Sequence, residues 1–418
     1  MREMKDSGIE WIGEIPCDWK LERSQWHLEE VNISNNPIQT NNVLSLTNKL
    51  GVVPYEEKGN QGNKSKENVY EYKLAYPNTI VANSMNILIG SVGLCDYFGC
   101  VSPVYYVFKA KKHNNIKFLN YVFQTVGFQR ELRKYANGIL EIRLRVSASD
   151  ILKRFIPFPS ENEQQRIAEF LDRECGKIDG VKADIQAQID TLEQYKRSII
   201  TEAVTHGLNP FAPMKDSGVD YIDKIKSDWR ITKIGFVCSK LTRGFSAEDP
   251  ALICSNNGSV MLRDEEKACG KMVSEDNAMQ GIHIGDIAIH GMDTWHGAIG
   301  FSKIKGKITR VVHVCDSSED KRFIVYYLKS LAYQNVYKLI SNGVRGNTSD
   351  FRSWDKVKDI YICLPATKKE ENEICDYLDA QCENIDMIIA DKKSQLETLD
   401  GYKKSLIYEY VTGKKEVV

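Results

Sequence analysis

The chain has 418 residues, with 56 Lys+Arg against 57 Asp+Glu and a formal net charge of −1. With 42% hydrophobic and 27% charged residues it is an ordinary globular chain, which excludes collagen-like, mucin-like and disordered classes. The near-zero total also argues, at first sight, against a nucleic-acid partner, which a basic excess usually marks. A length prior of one domain per ~150 residues gives two or three domains. No run of ~18 apolar residues is present, so no membrane contact is expected. The opening MREMKDSGIEW lacks the apolar core of a signal peptide. The 11 cysteines show no CxxC spacing, and Cys95 and Cys100 are the nearest pair. Reduced thiols and a cytoplasmic location are the expectation.

In chain order, the first signal is a motif that returns. Residues 4–20 read MKDSGIEWIGEIPCDWK, and residues 214–230 read MKDSGVDYIDKIKSDWR. The matches include Ser7/Ser217, Gly8/Gly218, Ile12/Ile222, Ile15/Ile225 and Trp19/Trp229. A second repeat pairs IAEFLDRECGKID from Ile167 with ICDYLDAQCENID from Ile374. Fixed-period self-similarity of this kind marks a duplicated unit. Each copy has the short motif, a variable region and a long apolar-periodic segment. The two variable regions look unrelated in sequence, yet the similar order of strands and helices expected in them supports a shared fold. Two modules doing one job on different targets is the reading this supports.

The first variable region has strand-like stretches at 43–46, 79–81, 87–89 and 104–108, then a helix at about 116–135. Its loop Lys58-Gly59-Asn60-Gln61-Gly62-Asn63-Lys64-Ser65-Lys66 mixes amides, which read base edges, with lysines, which pair with phosphates. The region closes on Asn137-Gly138 followed by Arg143 and Arg145.

A helix follows from Glu161 to about Gly207, free of proline. Leu171, Ile178, Ile185, Leu192 and Ile199 recur every seven residues, the seam of a coiled coil, flanked by Ile167, Val181 and Tyr195. Ser160 suits the N-cap and Glu163 the capping-box position. Asn209-Pro210-Phe211 then reads as a linker.

The second variable region offers strands at 286–289, 298–301 and 311–314 and a helix at about 321–340. Candidate DNA contacts are Arg243, Asn256, Asn257 and Arg263, then Arg345 and Arg352 after Asn342-Gly343. His283, His290, His296 and His313 lack metal-ligand spacing and read as core or loop histidines. The second long helix runs from about Lys368 to Gly413. Its apolar row includes Leu378, Ile385, Ile388, Ile389, Leu399, Tyr402 and Leu406, with Lys392 where the first copy has Ile185. Apolar stripes this long need partners, and the cheapest is the other copy, as an antiparallel pair.

No phosphate-binding G-x-x-x-x-G-K-[ST] loop is present, and Gly90-Ser91-Val92-Gly93 reads as a tight turn. No catalytic residue, metal site or cofactor site is expected in this chain. The fold class expected is α+β: two mixed α/β domains separated by two long helices forming an antiparallel coiled coil, with an internal pseudo-twofold repeat.

The paired motifs, together with IPFPSENEQQRIAEFLDRECGKID and the Tyr195-Lys196-Arg197-Ser198 tail, resemble the specificity subunit of type I restriction–modification systems over essentially the whole chain. The resemblance implies target recognition domains at 1–159 and 209–366 and conserved spacer helices at 160–208 and 367–418. It implies double-stranded DNA as ligand, two modification (methyltransferase) subunits, and restriction (endonuclease/translocase) subunits. S-adenosylmethionine, ATP and magnesium would belong to those partners. The second copy departs from the pattern: Glu370-Glu371 replaces Glu163-Gln164, and Lys226 stands where the first has Pro16. A coiled-coil scaffold binding only proteins is the alternative.

This division reopens the charge. Residues 161–207 hold 10 acidic and 6 basic residues, −4, and residues 368–414 hold 11 and 7, again −4. The remainder therefore carries +7. Acidic helices hide basic recognition regions, which reverses the first impression.

Overall fold

The computed structural model describes residues 2–47, 51–58, 68–111, 114–138, 144–263, 278–341 and 350–417. The chain divides into two compact units, Met1–Ile185 with Lys393–Val418, and Gln186–Lys392. Each unit owns one variable region, one copy of the short motif and half of each long helix.

The long helices span Glu161–His206 and Lys368–Val411. Both end where a glycine takes up positive φ, Gly207 at 78° and Gly413 at 72°, a conformation other residues resist. They run antiparallel within each unit. In unit 1 Lys403 meets Asp179 at 2.6 Å, and Lys182 bonds Asp400. In unit 2 Lys196 meets Asp386 at 2.6 Å. Lys403–Asp179 and Lys196–Asp386 are one ion pair written twice, since each residue of one is the repeat partner of a residue of the other.

The seam is apolar as the heptads require. Leu171, Ile178, Ile185, Ile199, Leu378, Ile385 and Leu406 are buried, while Leu192 and Leu399 are half-buried. Ile189 and Ile389 are buried as well. Lys392 sends its ammonium to the Gln188 side chain, which explains how a lysine is tolerated beside the seam. Val181, Tyr195, Ile388 and Tyr402, expected along the stripe, are exposed instead. A stripe wide enough to include them exceeds the narrow strip that one partner helix covers.

The variable regions have the shared fold that their similar order of elements implies. Their sequences look unrelated, yet the topology is the same strand for strand. Unit 1 has a four-stranded antiparallel sheet in the order Leu28–Glu30, Tyr105–Ala110, Thr79–Asn83, Val92–Cys95. Unit 2 repeats it as Cys238–Lys240, Val312–Ser317, Ile287–His290, Ile299–Phe301. Hairpins recur as Leu44–Thr47 with Gly51–Pro54, and Leu252–Cys254 with Val260–Leu262. A ribbon joins Lys20–Arg23 to Phe155–Phe158, and its counterpart joins Arg230–Lys233 to Tyr361–Leu364.

Two further expectations change. Residues 87–89 form a 3-10 turn, not a strand, closed by Gly90 at φ 92°. A short apolar run cannot by itself distinguish the two. The single helix expected at 116–135 breaks into Ile116–Gln124 and Val126–Arg133 at Thr125, whose extended backbone lets its hydroxyl cap the second piece. The helix at 321–340 breaks likewise, into Lys321–Tyr333 and Val336–Ile340, with Asn335 between them at φ 58°.

The short motif forms a hairpin, Met4–Asp6 with Glu14–Pro16 in unit 1 and Met214–Val219 with Ile222–Lys226 in unit 2. It delivers Trp19 and Trp229, each 1% exposed, into the two cores. Ser160 caps the first long helix through the Glu163 N–H. The Glu163 side chain does not complete a capping box. It accepts from the Trp19 indole at 2.9 Å and from Arg2. In unit 2 Lys226 takes Glu370 at 2.7 Å, and the Trp229 N–H has no partner among the described residues. The exchange of Pro16 for Lys226 thus rewires one carboxylate. Glu163→Ala should cost about 2 kcal/mol by stranding a buried indole N–H and weakening the hold on Arg2, and Glu370→Ala should cost less. Urea unfolding of both variants checks this.

The last turn of the chain clasps its first motif. Leu406, Ile407 and Val411 join the core of unit 1. The Tyr408 hydroxyl donates to the Ile12 carbonyl at 3.2 Å, and Lys414 Nζ donates to the same oxygen at 2.7 Å.

Candidate nucleic-acid interface

Each recognition domain is fastened to a long helix by the same three polar contacts. In unit 1 the Asn115 N–H donates to Gln164, Lys117 pairs with Asp172 at 2.6 Å, and the Tyr121 hydroxyl donates to Asp172 at 2.8 Å. In unit 2 the Asp320 N–H donates to Glu371, Arg322 pairs with Asp379 at 2.8 Å, and the Tyr326 hydroxyl donates to Asp379 at 2.7 Å. Asn115 and Asp320 also cap the helices they begin. Glu371 therefore does the acceptor's work of Gln164, and the departure at that position keeps the contact.

This latch was missed in the sequence, although aligning the two helices exposes it: Lys117/Arg322, Phe118/Phe323 and Tyr121/Tyr326 share one spacing. Its electrostatics differ between the units. Burial pushes the Glu371 carboxyl up. Burial also pushes Asp320 up, but Arg322 and backbone N–H bonds outweigh it and hold its carboxyl below the usual range. A lowered carboxyl adds stability above its unfolded pKa and loses it as pH falls through the folded value. Unit 2 should therefore weaken on acidification below the ordinary carboxylate range. Arg322→Gln should remove about 1 kcal/mol at neutral pH, a figure reduced for solvent screening, and flatten that acid dependence. Acid unfolding followed by circular dichroism tests it.

Beyond the latch lie the turns. Asn137 and Arg145 exchange backbone hydrogen bonds at 2.8 and 2.9 Å, an isolated antiparallel bridge that forms a neck. Arg145 is exposed at that neck. Arg352 is exposed beside the Ser353 helix cap, with one guanidinium nitrogen 3.1 Å from Met292 Sδ. Asn256 and Asn257 occupy the exposed tip of a hairpin. Asn257 accepts from the Ser259 N–H and the Ser255 hydroxyl, so its carbonyl shapes the turn, and Asn256 stands free at the tip. Gly258 is required there, because a Cβ would lie 2.0 Å from the Ile299 carbonyl oxygen. Arg263 is half-buried just after that hairpin.

Two candidates are drawn inward. Lys58 is buried, with its ammonium 4.4 Å over the Tyr55 ring. Arg243 forks onto Asp286 at 2.7 and 2.9 Å, and Asp286 is 2% exposed. A buried carboxylate needs such a cation, so this arginine braces the fold beside the His283 N–H that Asp286 also accepts. Asn60, Gln61, Asn63, Lys64, Lys66, Arg143 and Arg345 lie outside the described residues.

The histidines hold turns and core. His290 accepts from the Met292 and Asp293 N–H groups, and His313, fully buried, bonds the Phe351 carbonyl at 2.7 Å. Burial lowers the pKa of both. Among the described residues no group of three or more His, Cys, Asp or Glu is arranged to hold a metal ion. No helix among them is long and apolar enough to cross a membrane.

The chain thus holds two copies of one mixed domain, each latched to a long helix and each carrying exposed amide and arginine side chains. Residues 27–191 match the family described as type I restriction modification DNA specificity domain. No curated protein matches the chain in sequence. In fold, the chain is similar to one in a solved structure described as the structural basis of complex assembly and conformational transition of the type I R-M system. The identity is 12%, the coverage 96% of this chain and 99% of that one, and the TM-score 0.67. Against the HsdS subunit from Thermoanaerobacter tengcongensis the identity is 13%, the coverage 96% and 98%, and the TM-score 0.45.

Proposed function

We propose that the chain is the specificity subunit of a type I restriction–modification enzyme and carries no catalysis of its own. Each domain reads a short half-site in duplex DNA through side chains on base edges, with phosphate contacts fixing its register. The two half-sites are separated by a gap that is not read. The observation that carries this reading is the contrast inside the repeat: latch and topology are duplicated, and the turns are not. A shared frame with different tips suits two targets of different sequence. The chain would direct two modification subunits and the restriction subunits in the cytoplasm. S-adenosylmethionine, ATP and magnesium would be held by those partners.

The test is base-modification mapping of the host genome with and without this chain. A bipartite motif that disappears with the chain supports the proposal, and an unchanged methylation pattern overturns it. Binding of the assembled complex to duplex DNA should fall steeply with salt. A protein-only scaffold would show no such slope.

A further inference from the structure

Unit 1 contains a cleft of 670 Å³ between the short motif and the ends of two helices, with Trp11, Arg23, Tyr135, Lys153, Arg154 and Phe155 in its lining. The Arg23 guanidinium lies 5.1 Å from the Phe155 ring centre, and that of Arg154 lies 3.4 Å from the Tyr135 ring centre. Among the described residues Arg23, Lys153 and Arg154 make no ion pair. The two carboxylates in the lining, Glu10 and Glu131, are both held by Lys134, at 3.4 and 2.8 Å.

The repeat supplies an internal comparison. Unit 2 has the same ribbon, with Lys233 opposite Tyr361 as Arg23 is opposite Phe155. There the residues aligned with Lys153 and Arg154 are Asp359 and Ile360. Lys233 pairs with Asp359 at 2.9 Å, and the Tyr221 hydroxyl, at the position of Trp11, accepts from the Tyr361 N–H. Unit 2 neutralises this place internally, and unit 1 gathers three cations on it. Like charges brought together repel unless an anion is shared between them. Arg154 spends its Nε–H on the Asp150 carbonyl, and the remaining N–H groups of a guanidinium set over an aromatic ring can still donate to a phosphate.

The cleft also lies close in sequence to the exposed Arg145, because Tyr135 is two residues before the Asn137–Arg145 bridge and Lys153 follows the short helix Ala148–Leu152 just after it. We propose that this cleft holds a backbone phosphate of the DNA beside the half-site read by unit 1. It would set register without reading sequence. The inference rests on the DNA-reading function proposed above.

The test uses the full chain assembled with its modification subunits, and a duplex carrying the mapped target. With Arg23→Gln and Lys153→Gln combined, the slope of log K against log salt should fall by about 0.9 for the one phosphate lost. Relative to 1 M salt, that corresponds to binding about eightfold weaker at 0.1 M. Target and non-target duplexes should lose equally, leaving the discrimination ratio unchanged. Arg23→Lys should retain the slope, and so should Lys233→Gln in unit 2. An unchanged slope in the double variant overturns the proposal. An unchanged slope with weakened subunit assembly also overturns it and identifies an acidic protein segment as the occupant. If the unaltered complex binds DNA with no salt dependence, the DNA-reading function itself fails.

Discussion

Trp19→Ala should unfold unit 1 ahead of unit 2 at a cost of about 3–5 kcal/mol, the range for emptying a buried tryptophan site. The indole is 1% exposed, packs among the core residues of unit 1 and donates to Glu163. Truncation therefore leaves a cavity and also strips an acceptor of its donor. Trp229→Ala should be the mirror image, lowering unit 2, whose core holds Trp229 against Phe323 with ring centres 6.2 Å apart. The cost should be slightly smaller, because the Trp229 N–H has no partner to lose among the described residues. Calorimetry of the full chain should resolve two transitions in each variant, with the displaced one assigned by which tryptophan is missing. A single transition in both would show that the shared long helices weld the units into one cooperative body.

Removing one heptad from each long helix should shorten the unread gap by about three base pairs. Seven residues rise about 10.5 Å, against about 3.4 Å per base pair. Residues 184–190 and 391–397 are the segments to delete together. The ion pairs Lys196–Asp386 and Lys403–Asp179 lie on either side of the deletions and keep their register when both helices lose the same length. A whole heptad also preserves the phase of the seam. Sequencing the methylated motif in cells carrying this variant reads the gap directly. A motif with its original gap would rule out helix length as the ruler, and loss of methylation with the chain still folded would point to the partner subunits.

The long helices and the doubled motif were legible because they are written in repeated residues: the heptads, Trp19/Trp229 and Gly8/Gly218. The doubled topology of the variable regions was legible only in their similar order of elements, not in matching residues. A sheet interior asks only for apolar side chains of fitting size, so Val81 and Ala82 of one unit sit where Ala288 and Ile289 sit in the other, without identity to detect. The latch escaped for a different reason. Its matches are two identities and one Lys/Arg exchange within about one and a half helix turns, and their meaning depends on Asp172 and Asp379, more than fifty residues away. Arg243 shows a partner that the sequence hides. A basic residue beside glycine looks like a DNA contact until Asp286, buried 43 positions on, is seen to claim it.

The clasp between the end of the chain and its first motif bears on the order of folding. Domains usually fold in the order they leave the ribosome. Here the second unit is complete once Lys392 has emerged, whereas the first still lacks everything from Lys393 onward. Unit 1 must wait for the end of the second long helix, with Ile12, Ile15 and Trp19 held ready for Leu406, Ile407 and Val411. A chain cut after Lys392 should therefore carry a finished unit 2 and an unfinished unit 1.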